Sequence, residues 1–389
     1  MRVIGLMSGT SADGVDAALV EWGEALDGRP FRLLAQREQA FDPALQTRIH
    51  RLAAGRCEPG ETLRELARLD VELGERFAAA ARAVAEQAGL ALDAVDAIAS
   101  HGQTVAHHPE LRATLQIGDP SLIAERTGCT TVADFRTRDI AAGGEGAPLA
   151  PFFHYAALRD ERENRIALNL GGIANVTWLP AGARPDDVIA FDVGPANALI
   201  DGVIQCESGG RERMDRDGAR ARRGRVDEAL LERLLDDDYL SAPPPKSTGR
   251  ERYGAREAES LHAEWRAAGR ALDDLVATLV AFTARAVADA ARRFLAPDAT
   301  IDALLVGGGG ARNPASLEAL RAALPGTRVE PFDAAGVPAD AAEAMAFSLM
   351  GRNAILGLPN HLPATTGASR AAVLGEIVPG RSGRIRAGA

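Results

Sequence analysis

Cysteine is scarce in this chain. Cys57, Cys129 and Cys206 are the only three among 389 residues, they lie far apart, and none belongs to a C-x-x-C pair. That spacing supports neither a zinc site nor a disulfide framework and suits a reducing cytoplasm. Aromatic residues make up 4% of the chain, so the core must be aliphatic. No apolar run approaches the roughly 18 residues of a membrane-spanning helix. No basic stretch followed by an apolar one marks a signal peptide. The expectation is a cytoplasmic protein with no membrane partner. Positive charge is also short, with 44 Lys+Arg against 54 Asp+Glu and a net charge of −10. A general nucleic-acid binder wants the opposite balance, although arginine is abundant enough for a local basic pocket. Two catalytic strings are missing, G-x-x-x-x-G-K-[ST] and H-E-x-x-H; PKSTGRE (245–251) does not match the first.

What is present is a soluble globular composition, 46% hydrophobic and 25% charged, at a length that suits two domains. The opening stretch, MRVIGLMSGTSADGVDAALVEW, reads as strand, tight turn and strand. Val3 to Leu6 and Val15 to Val20 are the apolar arms, and Ser8-Gly9-Thr10-Ser11 with Asp13-Gly14 is the turn. Glycine lets backbone approach a ligand closely, and the exposed N–H groups and hydroxyls of such a turn can cradle phosphate oxygens. Asp13 is then placed to hold a metal, directly or through water. An ordinary hairpin with a polar turn is the alternative.

Residues 41–90 read as helical, 94–109 as a strand (Ala97–Ser100) and a polar loop, and 113–128 as strand, turn and helix. Residues 130–151 read as a strand entering a Gly-rich loop. RIALNLGGIANVTWLP (165–180) repeats the opening hairpin, and AFDVGPANALID (190–201) reads as strand, turn and helix start. Residues 206–256 form a charged connection, 258–296 one long amphipathic helical stretch, and 336–356 a helix. IDALLVGGGGARNP (301–314) delivers a buried strand into four glycines. Strands alternating with helices, with a hairpin opening each half, argue for an α/β protein of two similar lobes with a cleft between them. The expected lobes are 1–160 and 161–360, with 361–389 packing back on the first. His101, His107 and His108 lie close together, but a polar loop is a better reading of them than a metal site.

The turns SGTSADG, NLGGIAN and VGGGGARNP suit a nucleotide as a set, two for phosphates and one for the adenosine end. With them the chain resembles the actin-like ATPase superfamily of sugar kinases and heat-shock ATPases. The segments GLMSGTSADGVDAALV, ASHGQTVAHHP, ADFRTRDIAAGGEGAPLAP, NLGGIANVT, FDVGPANALID, PPKSTGRE, VGGGGARNP and TGASRAAVLGEI lie in order along nearly the whole chain. Together they resemble the anhydro-N-acetylmuramic acid kinase family.

The resemblance implies an α/β, two-lobed actin-like ATPase (ribonuclease H-like) fold with an interdomain active-site cleft. It implies ATP and Mg2+ as cofactors, a homodimer, and the 1,6-anhydro sugar of the cell wall as substrate, hydrolysed and phosphorylated to N-acetylmuramic acid 6-phosphate. Asp192 matches the family's catalytic base; a helix N-cap is the competing reading, because a Gly-Pro turn and a helix follow it. Glu343 resembles a glutamate that orients the attacking water, against a solvated helix-face carboxylate. Gly9, Thr10, Ser11, Ala12, Asp13, Gly14, Val15 and Asp16 match the ATP-binding segment, with Gly171, Gly172, Gly308 and Gly309 in the other turns. His101, Gln103, Arg136 and Asn197 are candidate sugar contacts. An arginine can bind the lactyl carboxylate bidentately, and Arg136, Arg138 and Arg126 all qualify. The chain departs from the usual pattern at Glu145, Val193, Ala196 and Ala342. A kinase for another sugar, or a nucleotide-dependent binding protein without chemistry, are the competing functions.

Overall fold

The computed structural model describes residues 1–25, 27–249 and 251–381. Arg250 of PPKSTGRE and residues 382–389 of the expected C-terminal segment therefore lie outside the described residues. The chain divides into two compact units, Met1–Ala157 with Ala341–Ala389, and Leu158–Asp340.

The first unit is built on a sheet of β1 (Arg2–Ser8), β2 (Gly14–Trp22), β3 (Phe31–Ala40), β4 (Ala97–His108), β5 (Ala113–Ile117), β6 (Thr131–Ala133) and, from the end of the chain, β12 (Glu376–Val378). Its order is β3-β2-β1-β4-β6-β12, with β5 paired to β4. The hairpin strands run antiparallel, Ile4 opposite Leu19, while β1, β4 and β6 run parallel, Ile4 beside Ile98. β1 reads VIGLMS because a parallel central strand is covered on both faces. One cover is the helix Thr62–Gln87, whose Leu69, Leu73, Phe77, Ala80 and Val84 recur at helical spacing and pack on Ile4, Leu6, Leu19 and Ile98. Each such large side chain contributes roughly 1.5–3 kcal/mol on burial.

The other cover is the helix Ala342–Ile355, which corrects the expected boundary at 360. It belongs with the first unit, because its backbone meets β1 where Gly5 has no side chain: a Cβ there would run into the Ala344 carbonyl oxygen. Ser348 Oγ donates to Val3 O at 2.8 Å, and Trp22 Nε1 donates to Ser348 Oγ at 2.9 Å.

The second unit holds β7 (Arg165–Leu170), β8 (Ile173–Leu179), β9 (Ile189–Pro195), β10 (Ala303–Gly307) and β11 (Arg328–Pro331), in the order β11-β10-β7-β8-β9. Its first three strands are an antiparallel meander and its last two lie parallel to β7. Numbered within each unit, both sheets share the order 3-2-1-4; the second ends in its fifth strand, while in the first the sixth strand follows and the fifth pairs with the fourth off this path. The helix Leu272–Ala290 covers the second sheet with Ala284 and Val287 against Leu168, Val176 and Val306.

Three local readings are corrected and one strand is added. Residues 31–40 form β3, an edge strand whose polar alternation gives little apolar signal. β4 continues past Ser100 to His108, because β5 pairs with its polar half across a bulge. The Gly-rich loop begins only after a helix, Phe135–Ala141, capped by the Asp134 carboxylate. The stretch 258–296 breaks at Gly269, whose φ of +67° no helix interior allows, leaving helices Ala255–Ala267 and Leu272–Ala290.

Candidate active site

In the first unit the turn between β1 and β2 is braced from β4. The Ser8 hydroxyl stands 2.8 Å from Gly14 O and 2.7 Å from Gln103 Oε1, and Gln103 Nε2 donates to Gly9 O at 3.0 Å. Ala12 takes φ +48°, a left-handed value rare for a residue with a Cβ. Strain of this kind is held only where the surroundings impose it, and Ala12 is fully buried. Thr10 and Asp13 are exposed, Ser11 Oγ donates to Asp13 Oδ1 at 2.9 Å, and a Cβ built on Gly9 would meet Ser11 Oγ at an ordinary contact of 3.7 Å. Val15 is buried and Asp16 half-buried at the start of β2. The turn therefore presents small residues and one exposed carboxylate to solvent.

Beside it, on β4, His101 is buried and its ring packs against Phe347 at 4.8 Å. Nδ1 lies 2.9 Å from Gly102 O, and Nε2 accepts from Arg136 Nε at 3.0 Å and Nη2 at 2.9 Å. Burial, and then the Arg136 charge, push its pKa down to about 3, so the imidazole is neutral. Arg136 Nη1 also donates to Gly146 O at 2.8 Å. Of the five guanidinium N–H donors, these three bonds leave two open. Among the described residues Arg136 has no carboxylate partner, and burial lowers its pKa to about 10, which leaves it charged.

Arg126 is instead paired with Glu75 at 2.7 Å, and Arg138 is exposed. The Gly146 end of the clamp is fixed by Asp139, fully buried, which accepts from Gly146 N at 2.8 Å and Thr366 Oγ1 at 2.7 Å and lies 2.6 Å from His361 Nδ1. No sequence pattern singles out Asp139 or His361.

Glu343 stands in the first turn of Ala342–Ile355. Every other residue of that helix is buried, so there is no solvated stripe for Glu343 to belong to. Its surface is open to solvent, yet enough protein surrounds it to push its pKa up from the ordinary glutamate range. Arg136 pulls that value back and Asp13 adds to it.

The second unit gathers the other turns. Ala196 N and Asn197 N donate to Gly172 O and Gly171 O at 2.9 and 3.1 Å, and Asn197 Nδ2 donates to Leu170 O at 3.0 Å. The turn after β10 lies on the same backbone: a Cβ on Gly310 would come 2.6 Å from Leu170 Cβ. Gly308 has φ +74°, and the exposed Gly309 faces open space.

Asp192 sits inside β9, opposite Asn175. The helix that follows is capped by Ala196, so Asp192 is not its N-cap. Asn175 Nδ2 donates to Asp192 Oδ1, and Thr248 N donates to Oδ2 at 3.0 Å. Burial pushes the carboxyl pKa up, these two donors pull it down, and Glu251 pushes it up again. NLGGIAN, FDVGPAN and PKSTGRE thus converge on one carboxylate, and Asn175 and Thr248 were not singled out in the sequence.

Four polar candidates divide. His101, Gln103 and Asn197 have donors or acceptors engaged within the protein, whereas Arg136 retains open ones. Of the departures, Val193, Ala196 and Ala342 are buried, while Glu145 is exposed, its N–H bonded to Thr366 O at 2.8 Å. Among the described residues no group of three His, Cys, Asp or Glu could hold a metal by itself, and His107 and His108 lie on β4 rather than in a loop.

Two units that share the strand order 3-2-1-4, each opening on a hairpin with a small-residue turn, define the two-lobed actin-like ATPase class. The chain also matches the family described as anhydro-N-acetylmuramic acid kinase over residues 1–380. It is 46% identical to the anhydro-N-acetylmuramic acid kinase of Gloeobacter violaceus, covering 97% of this chain and 98% of that one. The protein of the same name from Streptomyces coelicolor is 46% identical, covering 98% and 94%. The chain belongs to the anhydro-N-acetylmuramic acid kinase family. A solved ROK family glucokinase from Streptomyces griseus, in complex with glucose and AMPPNP, is similar at a TM-score of 0.39 and 16% identity, covering 91% of this chain and all of that one. A likeness of that size adds nothing to the strand order.

Proposed function

We propose that this chain opens the 1,6-anhydro bond of 1,6-anhydro-N-acetylmuramic acid with water and transfers the γ-phosphoryl group of ATP to O6. The products are N-acetylmuramic acid 6-phosphate and ADP, in peptidoglycan recycling. The observation that carries the reading is family membership over 1–380 joined to the setting of Asp192. Water attacking an anomeric carbon must lose a proton, and Asp192 is the base that takes it. Burial raises its proton affinity while Thr248 N–H and Asn175 fix its direction, and a positioned base contributes about 10²–10⁴-fold. Cleavage frees O6 as the nucleophile for phosphorus. Glu343 orients the water.

The turn Gly9–Asp16 and the glycines 171, 172, 308 and 309 receive ATP through backbone N–H groups. Arg136 takes the lactyl carboxylate with its two open donors. Mg2+ fits a site with one exposed carboxylate, Asp13, because this ion is usually held by one or two carboxylates and the phosphates themselves. When bound it would neutralise phosphate charge. The family resemblance further supports a cytoplasmic homodimer.

The test is turnover in ¹⁸O-water. Label is expected at the anomeric oxygen and none in the phosphoryl group. A phosphorylated product that retains its anhydro bond, or labelled phosphate, would overturn the reading.

A further inference from the structure

β9 is one of the two edge strands of its sheet, and an exposed edge leaves backbone groups unpaired. Residues 246–248, which have no regular secondary structure, cover that edge at Asp192. Asp192 N donates to Lys246 O at 3.3 Å, and Thr248 N donates to the Asp192 carboxylate. What grips this segment is the Lys246 side chain. Its Nζ donates to Tyr239 O at 2.9 Å and Leu240 O at 3.1 Å. Three rings surround it, Tyr239 at 4.8 Å, Phe294 at 5.1 Å and Phe191 at 5.5 Å. Among the described residues no carboxylate forms an ion pair with it. Neighbouring side chains on a strand point to opposite faces, so Phe191 and Asp192 do too. Lys246 therefore holds on to the face of β9 away from the carboxylate, and its backbone carries the hold across the edge. The Tyr239 hydroxyl closes the arrangement by donating to Asp192 O at 2.7 Å.

We infer that Lys246 is a positioning residue for the base: its ammonium, caged by three rings and two carbonyls, holds 246–248 on β9 so that Thr248 N–H aims and ionises the Asp192 carboxylate. The inference rests on the reading of Asp192 as the base. A cationic side chain is suited to the task because rings attract it without quenching its charge. Burial and then Arg293 lower its pKa to about 8, against the opposing pull of Asp237, which leaves it charged at neutral pH. Arg252 stacks on Tyr239, and Glu251 is the charged group acting on Asp192 itself.

The sign of the effect follows. Thr248 N–H lowers the Asp192 pKa against burial and Glu251. If the segment lifts, that pKa rises, and the acid limb of the kcat profile moves to higher pH. Lys246→Met, which keeps the length and packing of the side chain, is expected to lower kcat by about tenfold to a hundredfold, the scale of a small misplacement of a reacting group. KM for both substrates should stay within about twofold, and the acid limb should rise by about half a pH unit or more. Lys246→Arg should restore most of both. A normal limb position in Lys246→Met, or a loss confined to KM, would overturn the inference. Should Lys246→Met fail to fold, Phe294→Leu removes one ring and spares both carbonyl bonds; an unmoved limb there would overturn it equally. Asp192→Asn run alongside separates the two claims. If that variant turns over normally the base assignment falls. If it is inactive while the Lys246 variants keep the parent limb, only the positioning role falls.

Discussion

Acid should unfold the first unit partly through one histidine, and the size of the effect follows from its burial. His101 has a pKa of about 3 in the fold and about 6.5 in the unfolded chain. Between those values the unfolded state binds the proton and the folded state does not. Stability from this group is therefore complete above pH 6.5 and is lost as pH falls towards 3. From pH 7 to pH 5 the loss is about 2 kcal/mol. His154, buried and lowered to about 4 by its surroundings, adds a similar amount with the same sign. The perturbation is His101→Gln, which keeps an acceptor for Arg136 but cannot titrate. Urea unfolding followed by far-UV circular dichroism at pH 7 and pH 5 gives the difference for parent and variant. The variant is expected to lose about 2 kcal/mol less than the parent over that interval. Equal losses in the two proteins would refute the argument that His101 is held neutral between Gly102 O and the Arg136 guanidinium.

Asp192→Asn should keep ATP and sugar binding, measured by calorimetry, and lose about two to four decades of turnover. Arg136→Met should raise KM for the sugar by about tenfold to a hundredfold, the scale of a lost charge-assisted hydrogen bond, and leave KM for ATP unchanged. Arg126→Met, removing a side chain already paired with Glu75, should change neither, and the reverse pattern would reassign the carboxylate partner. Gly5→Ala should cost roughly 3 kcal/mol or more, since the new methyl meets the Ala344 carbonyl oxygen and neither backbone can give way; an unchanged melting temperature would show that the helix is not seated as described.

The sequence disclosed most where local chemistry and position coincide. The two hairpins, their glycine turns and the carboxylate of FDVGPAN are contiguous strings, and each stands where its string placed it. What stayed hidden depends on partners distant in sequence. β3 looks polar because it is an edge, and the second half of β4 looks like a loop until β5 lies beside it. Glu343 reads as one more acid on an Ala-rich helix until burial of every neighbour singles it out. Lys246 and Thr248 carry no motif chemistry of their own; they matter because a segment more than fifty residues downstream of Asp192 comes back to lie on its strand. His361 is equally silent until Asp139 is found beside it.

The seating of Ala342–Ile355 against Gly5 also bears on how the molecule is made. The first unit takes in Met1–Ala157, yet one cover of its central strand arrives only after Leu158–Asp340 has been synthesised. Domains tend to fold as they emerge from the ribosome, so the inserted unit can form while β1 still waits for its helix. A chain interrupted at 340 would carry the whole turn between β1 and β2 and Asp192 but not Glu343. Nascent chains therefore lack one of the two proposed acids until the helix that completes the first unit has been made.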